Sequence, residues 1–369
     1  MDWSLQQRTA LDGVSAWHKA GNQQIYRVFG YAGTGKTTLA RHFASQIEGE
    51  TLYAAFTGKA AMVMRKNGCT GASTIHGLIY SAIQDEDTGA IKFVLDRDSA
   101  ARDAALIVVD ECSMVDADLG RDLMSFNTPI LVLGDPAQLP PVKGGGFFTD
   151  HAPDQMLTEI HRQAVDNPIV RLANDVREGR DLEFGHYGTS RVMPRADLDA
   201  DIIMKADQVL VGKNQTRHLY NKRMRELAGR QSDMPEPGDR LVCLKNNRTN
   251  GLFNGGLFEV AKLRKPVPGA IQDNTIRFDI LSSDFTGQAA ITVKVRKEFF
   301  AGGHEQIDWK DLRGTDQFNY GYALTVHKAQ GSQWGNVVLF DESHAFRSDW
   351  RRWLYTGITR AAETITIVR

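Results

Sequence analysis

The chain of 369 residues reads as an α/β protein of two parallel-sheet domains, with a small hairpin inserted in the first and a small antiparallel barrel in the second. Three observations predict this. Apolar runs of strand length alternate with helical ones through the first 145 residues and again after 150, the pattern of parallel sheets covered by helices. The stretch between STIHGLIY and ALIVVD fits no strand–helix unit. From residue 240 the apolar period changes to two, as in antiparallel strands with one covered face.

In the first domain, expected over 1–145, IYRVFG leads into GKTTLARHFASQIE, TLYAAF into GKAAMVMRKNG, and ALIVVD into VDADLGRDLMSF, before PILVLGD. Open sheets of this kind bind ligands at the carboxyl ends of their strands. The segment SAIQDEDTGAIKFVLDRDSAARD has a DEDTG centre between short apolar flanks, which predicts a projecting hairpin within 79–103. The second domain is expected over 146–239 and 299–369. It holds QMLTEI, the helix NPIVRLANDVREG, the strand DQVLVG and the helix NQTRHLYNKRMRELAG, then NYGYALTVHKAQG, NVVLFDE, the helix SDWRRWLYTGITRAA and the strand TITIVR. The insertion, 240–298, alternates Ile276, Phe278 and Ile280 with Arg277 and Asp279, and Ile291, Val293 and Val295 with Thr292, Lys294 and Arg296. Turns rich in Gly and Asn separate these runs, as in a small barrel.

Composition, at 42% hydrophobic and 24% charged, is that of a soluble globular chain, and no apolar run is long enough to span a bilayer. The start, MDWSLQQRTALDG, has neither a basic stretch nor an apolar signal core, so a cytoplasmic protein is expected. Cys69, Cys112 and Cys243 lie far apart, which argues against a disulfide framework or a zinc site. The net charge of −1 is not that of a generally basic nucleic-acid binder, but basic residues cluster locally. Residues 213–230 carry Lys213, Arg217, Lys222, Arg223, Arg225 and Arg230 against Glu226 alone.

Three motifs at strand ends carry chemistry. GYAGTGKT, residues 30–37, fits G-x-x-x-x-G-K-[ST] between a predicted strand and a predicted helix. Gly30, Gly33 and Gly35 let the backbone turn its N–H groups toward phosphate oxygens, with Thr34 and Thr38 beside them. Lys36 suits the β- and γ-phosphates and the Thr37 hydroxyl suits Mg²⁺. VVDECSMVD places Asp110 for the metal and Glu111 to orient or deprotonate an attacking water. LVLGDPAQLPPV places Gln138 past another strand end, where a neutral amide senses a γ-phosphate. Together these motifs describe a nucleoside triphosphate hydrolase that uses Mg²⁺.

The order GYAGTGKT, FTGKAA, STIHG, VVDECSMVD, GDPAQLPPV, LTEIHRQ, NNRTNGLFNGG, ALTVHKAQGSQW, YTGITRA resembles the RecD/Dda-like, 5′→3′ branch of superfamily 1 DNA helicases over nearly the whole chain. The resemblance implies two RecA-like motor domains and an SH3-like barrel. It also implies ATP-driven movement on single-stranded DNA with unwinding of forked DNA. Replication or recombination proteins would be its partners, a monomer would suffice, and no membrane is involved. By position it assigns Gln7, with Gln6 its neighbour, to the adenine edge, and Arg162 and Arg360 to the γ-phosphate. Gln330 and Gly331 fall nearer the nucleotide, and Lys328 suits either side. Thr57, Lys59, Thr74, His76, Thr325, His327 and Ser332 take strand contacts. Asn254, beside Gly255, belongs to a turn of the barrel that walls the strand channel. Phe93 is either a wedge at the fork or a packed residue of a surface hairpin. Two further readings keep most motifs: a translocase that strips proteins without unwinding, and an ATP-binding subunit without motor activity.

Overall fold

The sequence SLQQ builds a reciprocal cap on helix α1 (Leu5–Ala20): Gln7 N donates to Ser4 Oγ and Ser4 N donates to Gln7 Oε1. The computed structural model describes residues 3–84, 91–141, 146–159, 167–247, 250–265, 274–283 and 289–369. One unit comprises Met1–Leu182, Gln330–Ser332 and Phe346–Thr359; the other comprises Glu183–Ala329, Gln333–Ala345 and Arg360–Arg369.

In the first unit, β1 (Ile25–Gly30), α2 (Lys36–Ala44), β2 (Thr51–Ala55), α3 (Gly58–Lys66), β3 (Ser73–Thr74) and α4 (Ile75–Ile79) precede a hairpin of β4 (Tyr80–Gln84) and β5 (Ile91–Leu95). Then follow β6 (Leu106–Asp110), α5 (Ala117–Met124), β7 (Ile130–Gly134) and β8 (Gln155–Leu157). The sheet order is β3-β2-β6-β7-β1-β8, every pairing parallel. Ile107, Val109, Ile130 and Val132 pack on one face, and Leu106, Val108, Leu131 and Leu133 on the other. Strands covered on both faces have to be apolar throughout, as LIVVD and ILVLG are.

This unit extends past the boundary expected at 145. QMLTEI supplies its sixth strand, and both the helix Pro168–Glu178 and the helix Trp350–Ile358 belong to it. Alternation of strands and helices does not say which sheet a strand joins. Here Gly30 decides: a Cβ on it would lie 2.9 Å from Leu157 Cβ and 2.6 Å from Thr34 Oγ1, so only glycine admits β8 beside β1. The φ values of Gly33 and Gly35, both 80°, put the turning freedom at those two positions.

The second unit has a six-stranded sheet from β9 (Gly185–Tyr187), β10 (Ser190–Met193), β11 (Gln208–Val211), β17 (Ala323–Thr325), β18 (Trp334–Phe340) and β19 (Ala361–Val368). Its order is β17-β11-β18-β19-β10-β9, and only the β9–β10 edge pairing is antiparallel. Glu342 closes the turn into the helix Asn214–Leu227, accepting from Gly212 N (2.7 Å), Lys213 N (3.0 Å) and Thr216 Oγ1 (2.7 Å).

A separate antiparallel sheet in this unit holds β12 (Arg240–Cys243), β13 (Leu257–Leu263), β14 (Thr275–Ser282), β15 (Ile291–Arg296) and β16 (Phe318–Tyr320), in the order β15-β14-β13-β12-β16. Its fifth strand comes from beyond the range expected for the insertion. Gly321 is the cause, since a Cβ there would stand 2.9 Å from the Leu241 carbonyl carbon and only glycine runs that close to β12. Phe278, Ile280, Val293 and Val295 fill the covered face, as the alternation predicts. Asp316 N donates to Lys294 O at 2.7 Å, forming a parallel bridge between Val295 and Asp316.

Asp239, fully buried, ties the entry to that sheet. It accepts from Arg225 Nε (2.9 Å), the Tyr322 hydroxyl (2.9 Å) and Glu236 N (2.7 Å). Asp239→Ala takes from buried Arg225 its close counter-ion and leaves only the more exposed Glu236 at 3.9 Å, so a loss of about 3–5 kcal/mol is expected in urea unfolding. A loss below about 1 kcal/mol, the size of an exposed pair, would remove this network from the stability of the unit. The three cysteines are buried, and burial raises the Cys69 thiol to about 11 and that of Cys243 to about 12. Among the described residues no helix is long and apolar enough to cross a membrane.

Candidate functional site

The site of the first unit starts where β1 hands over to α2. Gly33 and Gly35 take left-handed conformations, and no side chain caps the N-terminus of α2, so the first N–H groups of the helix face the loop. Such an end favours anions. Lys36 Nζ donates to Gly30 O (2.6 Å) and Tyr31 O (3.0 Å), holding the loop closed with a cation that has no carboxylate partner among the described residues. Thr37 Oγ1 donates to Asp110 Oδ2 at 2.7 Å, which brings together the two residues expected at the metal. Thr34 is buried, and Thr38 lies in the first turn of α2.

Glu111 follows at φ 53° and ψ 44°, a left-handed conformation uncommon outside glycine and costly for a glutamate. Its N–H donates to Asp110 Oδ1 at 2.8 Å. Burial, and next the charge of Glu111, hold the Asp110 carboxyl above its usual range, against the pull of Thr37 and Lys36. Gln138 is 7% exposed and its Oε1 has no partner, an orphaned acceptor inside the site. An uncapped helix end, an unpaired lysine, a Thr–Asp pair and an orphaned amide fit a nucleoside triphosphate with Mg²⁺.

Two residues not singled out from the sequence complete the arrangement. Asp135 of GDPAQ is 2% exposed, and burial raises its carboxyl although Lys36 opposes this. Tyr355 donates from its hydroxyl to Asp135 Oδ2 (2.7 Å) and accepts from Ala32 N of the phosphate loop (3.0 Å). Both lie in quoted motifs, but neither shows its partner by spacing: 220 positions separate them in the chain. Leu139 N donates to Thr356 Oγ1 (3.0 Å), and Gln330 Nε2 donates to Leu139 O (3.0 Å). Gly331 lies where a Cβ would meet Ala60 Cβ at 2.8 Å, so Gln330 and Gly331 are gathered into this unit.

Both N-terminal glutamines are engaged. Gln7 Nε2 donates to Thr34 O of the loop (3.1 Å), whereas Gln6 Oε1 accepts from Thr158 N (2.8 Å) and Glu159 N (2.9 Å) beyond β8. Thr57 and Thr74 cap α3 and α4, accepting from Ala60 N and Gly77 N. Lys59 and Ser332 are buried in the same unit, and His76 is exposed beside Tyr80. Phe93 is 66% exposed, not packed. Thr325, His327 and Asn254 belong to the second unit, as does Arg360, buried at the start of β19. Arg162 lies outside the described residues.

Residues 5–192 match the family model described as AAA domain, and residues 320–368 match the UvrD-like helicase C-terminal domain. The chain is similar to the ATP-dependent RecD2 DNA helicase of Deinococcus radiodurans, 28% identical over 98% of this chain and 50% of that protein. It is also similar to the probable conjugal transfer protein TraA of Sinorhizobium fredii, 24% identical over 99% of this chain and 32% of that one. The chain thus spans half of the first relative's length and about a third of the second's. Among solved structures, its fold is like that of the Pif1 helicase from Candida albicans, with TM-score 0.60, 17% identity, and coverage of 100% of this chain and 94% of that one. It is equally like the Pif1 helicase from Bacteroides in complex with ADP-AlF3 and ssDNA, with TM-score 0.60, 17% identity, and coverage of 99% and 92%.

Proposed function

Because the chain belongs to the AAA domain family, with the homology and fold of superfamily 1 helicases of the RecD2/Pif1 kind, we propose that it is an ATP-dependent DNA motor. It moves 5′→3′ on single-stranded DNA and opens forked duplexes. The observation that carries this reading is the gathering of Gln138, with its orphaned Oε1, and Gln330–Gly331, nearly two hundred residues later, into the unit that bears the phosphate loop. A hydrolase that only turns over nucleotide needs no such distant segment, whereas a motor has to connect its nucleotide site to the element that holds its track.

Bound ATP with Mg²⁺ supplies the phosphoanhydride whose cleavage drives the cycle. Lys36 and the α2 N–H groups would hold its phosphate oxygens, Thr37 and Asp110 would hold the metal, and Glu111 would orient the attacking water. Gln138 spends its unpaired acceptor on that water or a neighbouring donor, and Arg162 and Arg360 answer the charge of the γ-phosphate. Gln7 stands at the adenine edge. Thr57, Lys59, Thr74, His76, Thr325, His327, Ser332 and Asn254 hold the strand. The five-stranded antiparallel sheet is an SH3-like barrel, supported by the bridge from Val295 of β15 to Asp316, two residues before β16. Exposed Phe93 and Val94 of β5, at 66% and 44%, favour an unwinding enzyme over a translocase alone, since a hairpin strand without a fork to part has no use for bare apolar surface. Single-stranded and forked DNA are its partners, with replication or recombination proteins, and the cytoplasm its place of action.

A tailed-duplex assay with both polarities tests the proposal. Strand separation of the 5′-tailed substrate, dependent on ATP, is the expected result. DNA-stimulated hydrolysis with neither substrate separated would reject unwinding.

A further inference from the structure

The helix Trp350–Ile358 holds the phosphate loop from outside, through a hydrogen bond between residues 323 positions apart. The peptide group that joins Tyr31 to Ala32 is pinned at both of its polar atoms. Its carbonyl, Tyr31 O, accepts from Lys36 Nζ (3.0 Å) and Thr34 Oγ1 (2.8 Å). Its N–H, that of Ala32, donates to the Tyr355 hydroxyl (3.0 Å). A trans peptide is planar and sends its carbonyl and its N–H in opposite directions, so whatever fixes one end aims the other.

The hydroxyl itself is not free to turn. Its one hydrogen goes to Asp135 Oδ2 (2.7 Å), which leaves lone pairs for the Ala32 N–H. Asp135 is held in turn, its Oδ1 accepting from Ala137 N (3.0 Å). Tyr355 is 1% and Asp135 2% exposed, and a carboxylate so covered loses free energy when it gives up a donor. One residue on, Thr356 Oγ1 fastens the same helix by accepting from Leu139 N (3.0 Å). The ring of Tyr31 lies under Arg177, whose Cζ is 3.8 Å from its centroid, so the residue that owns the carbonyl is held as well.

Lys36 depends on that carbonyl. Its ammonium bonds to Gly30 O and Tyr31 O and to no carboxylate among the described residues. Gly30 ends β1 and is fixed there by its pairing with Leu157 of β8. Tyr31 lies past the end of the strand, and the direction of its carbonyl is that of its peptide plane. We propose that Tyr355 is a positioning residue for Lys36, which aims the ammonium at the phosphates of a bound nucleotide through the Tyr31–Ala32 peptide group. This rests on the reading of the loop as an ATP site and adds a residue to it. Tyr355 touches neither nucleotide nor metal in this role.

The experiment measures the affinity of mant-ATPγS, a fluorescent ATP analogue, with Mg²⁺ for the wild type, Tyr355→Phe, Lys36→Met and the double variant, with thermal melting of each. Tyr355→Phe is expected to bind about fivefold more weakly, the size of one lost hydrogen bond, and Lys36→Met about tenfold or more. In the Lys36→Met background the tyrosine substitution should change affinity by less than about twofold, because the group it positions has gone. A loss by the same factor in both backgrounds identifies Tyr355 as structural and overturns the inference. Unchanged affinity in Tyr355→Phe, beside a weakened Lys36→Met, overturns it too, and either result leaves the motor reading standing. If Tyr355→Phe does not fold, Ala32→Pro decides by the same cycle. Proline deletes the donor of the same bond, and Ala32 is not among the residues with the positive φ that would exclude it. No binding of the analogue by the wild type, or wild-type affinity in Lys36→Met, would bring down the ATP-site reading and this inference together.

Discussion

Replacing Lys36 with alanine should reduce DNA-stimulated ATP hydrolysis about a thousandfold and leave the fold in place. The magnitude is that of removing a preorganised donor from a site where charge develops in the transition state. The fold should survive because the Lys36 ammonium bonds only to Gly30 O and Tyr31 O of its own loop and belongs to no hydrophobic cluster. Phosphate release in the presence of oligo-thymidylate reads the first quantity, and a melting curve the second. Turnover within about tenfold of wild type would exclude Lys36 from a phosphate-holding role.

Glu111→Gln should lower kcat for ATP by about 10²–10⁴-fold, the range of a lost general base, with little change in KM. The amide keeps the size of the carboxylate but cannot take a proton. It also removes the negative charge that helps raise the Asp110 carboxyl, so Asp110 ionises more readily in the variant and metal binding is not the step that suffers. Steady-state kinetics separate the two: a rise in KM with kcat preserved would place Glu111 in binding and take the water-activating role from it.

How much of this was legible beforehand differs by element. The strands LIVVD and ILVLG, the loop GYAGTGKT and the alternating Phe278–Ile280 run declare themselves, because a fully covered strand, a glycine-rich phosphate turn and a half-covered strand each impose a local pattern. The pairing of Thr37 with Asp110 followed from two such motifs. What could not be read was decided by packing between distant segments. Gly30 and Gly321 fix which sheet takes β8 and β16, through contacts with Leu157 and Leu241 that no local period encodes. The Tyr355–Asp135 bond joins a late helix to the end of a central strand, and Tyr355 on its own is one more aromatic in a helix. Phe93 shows the opposite limit, since alternation in a short hairpin does not say whether a given side chain is covered, and Phe93 is bare.

The two threonines that close the starts of α3 and α4 have a chemical asymmetry worth following through. A hydroxyl owns one hydrogen and two lone pairs. Thr57 and Thr74 lend a lone pair to Ala60 N and Gly77 N, so each still has its hydrogen to give to an oxygen arriving from outside. If these two hydroxyls take a strand's phosphates, as proposed, neither helix has to be undone for the strand to be seized or let go.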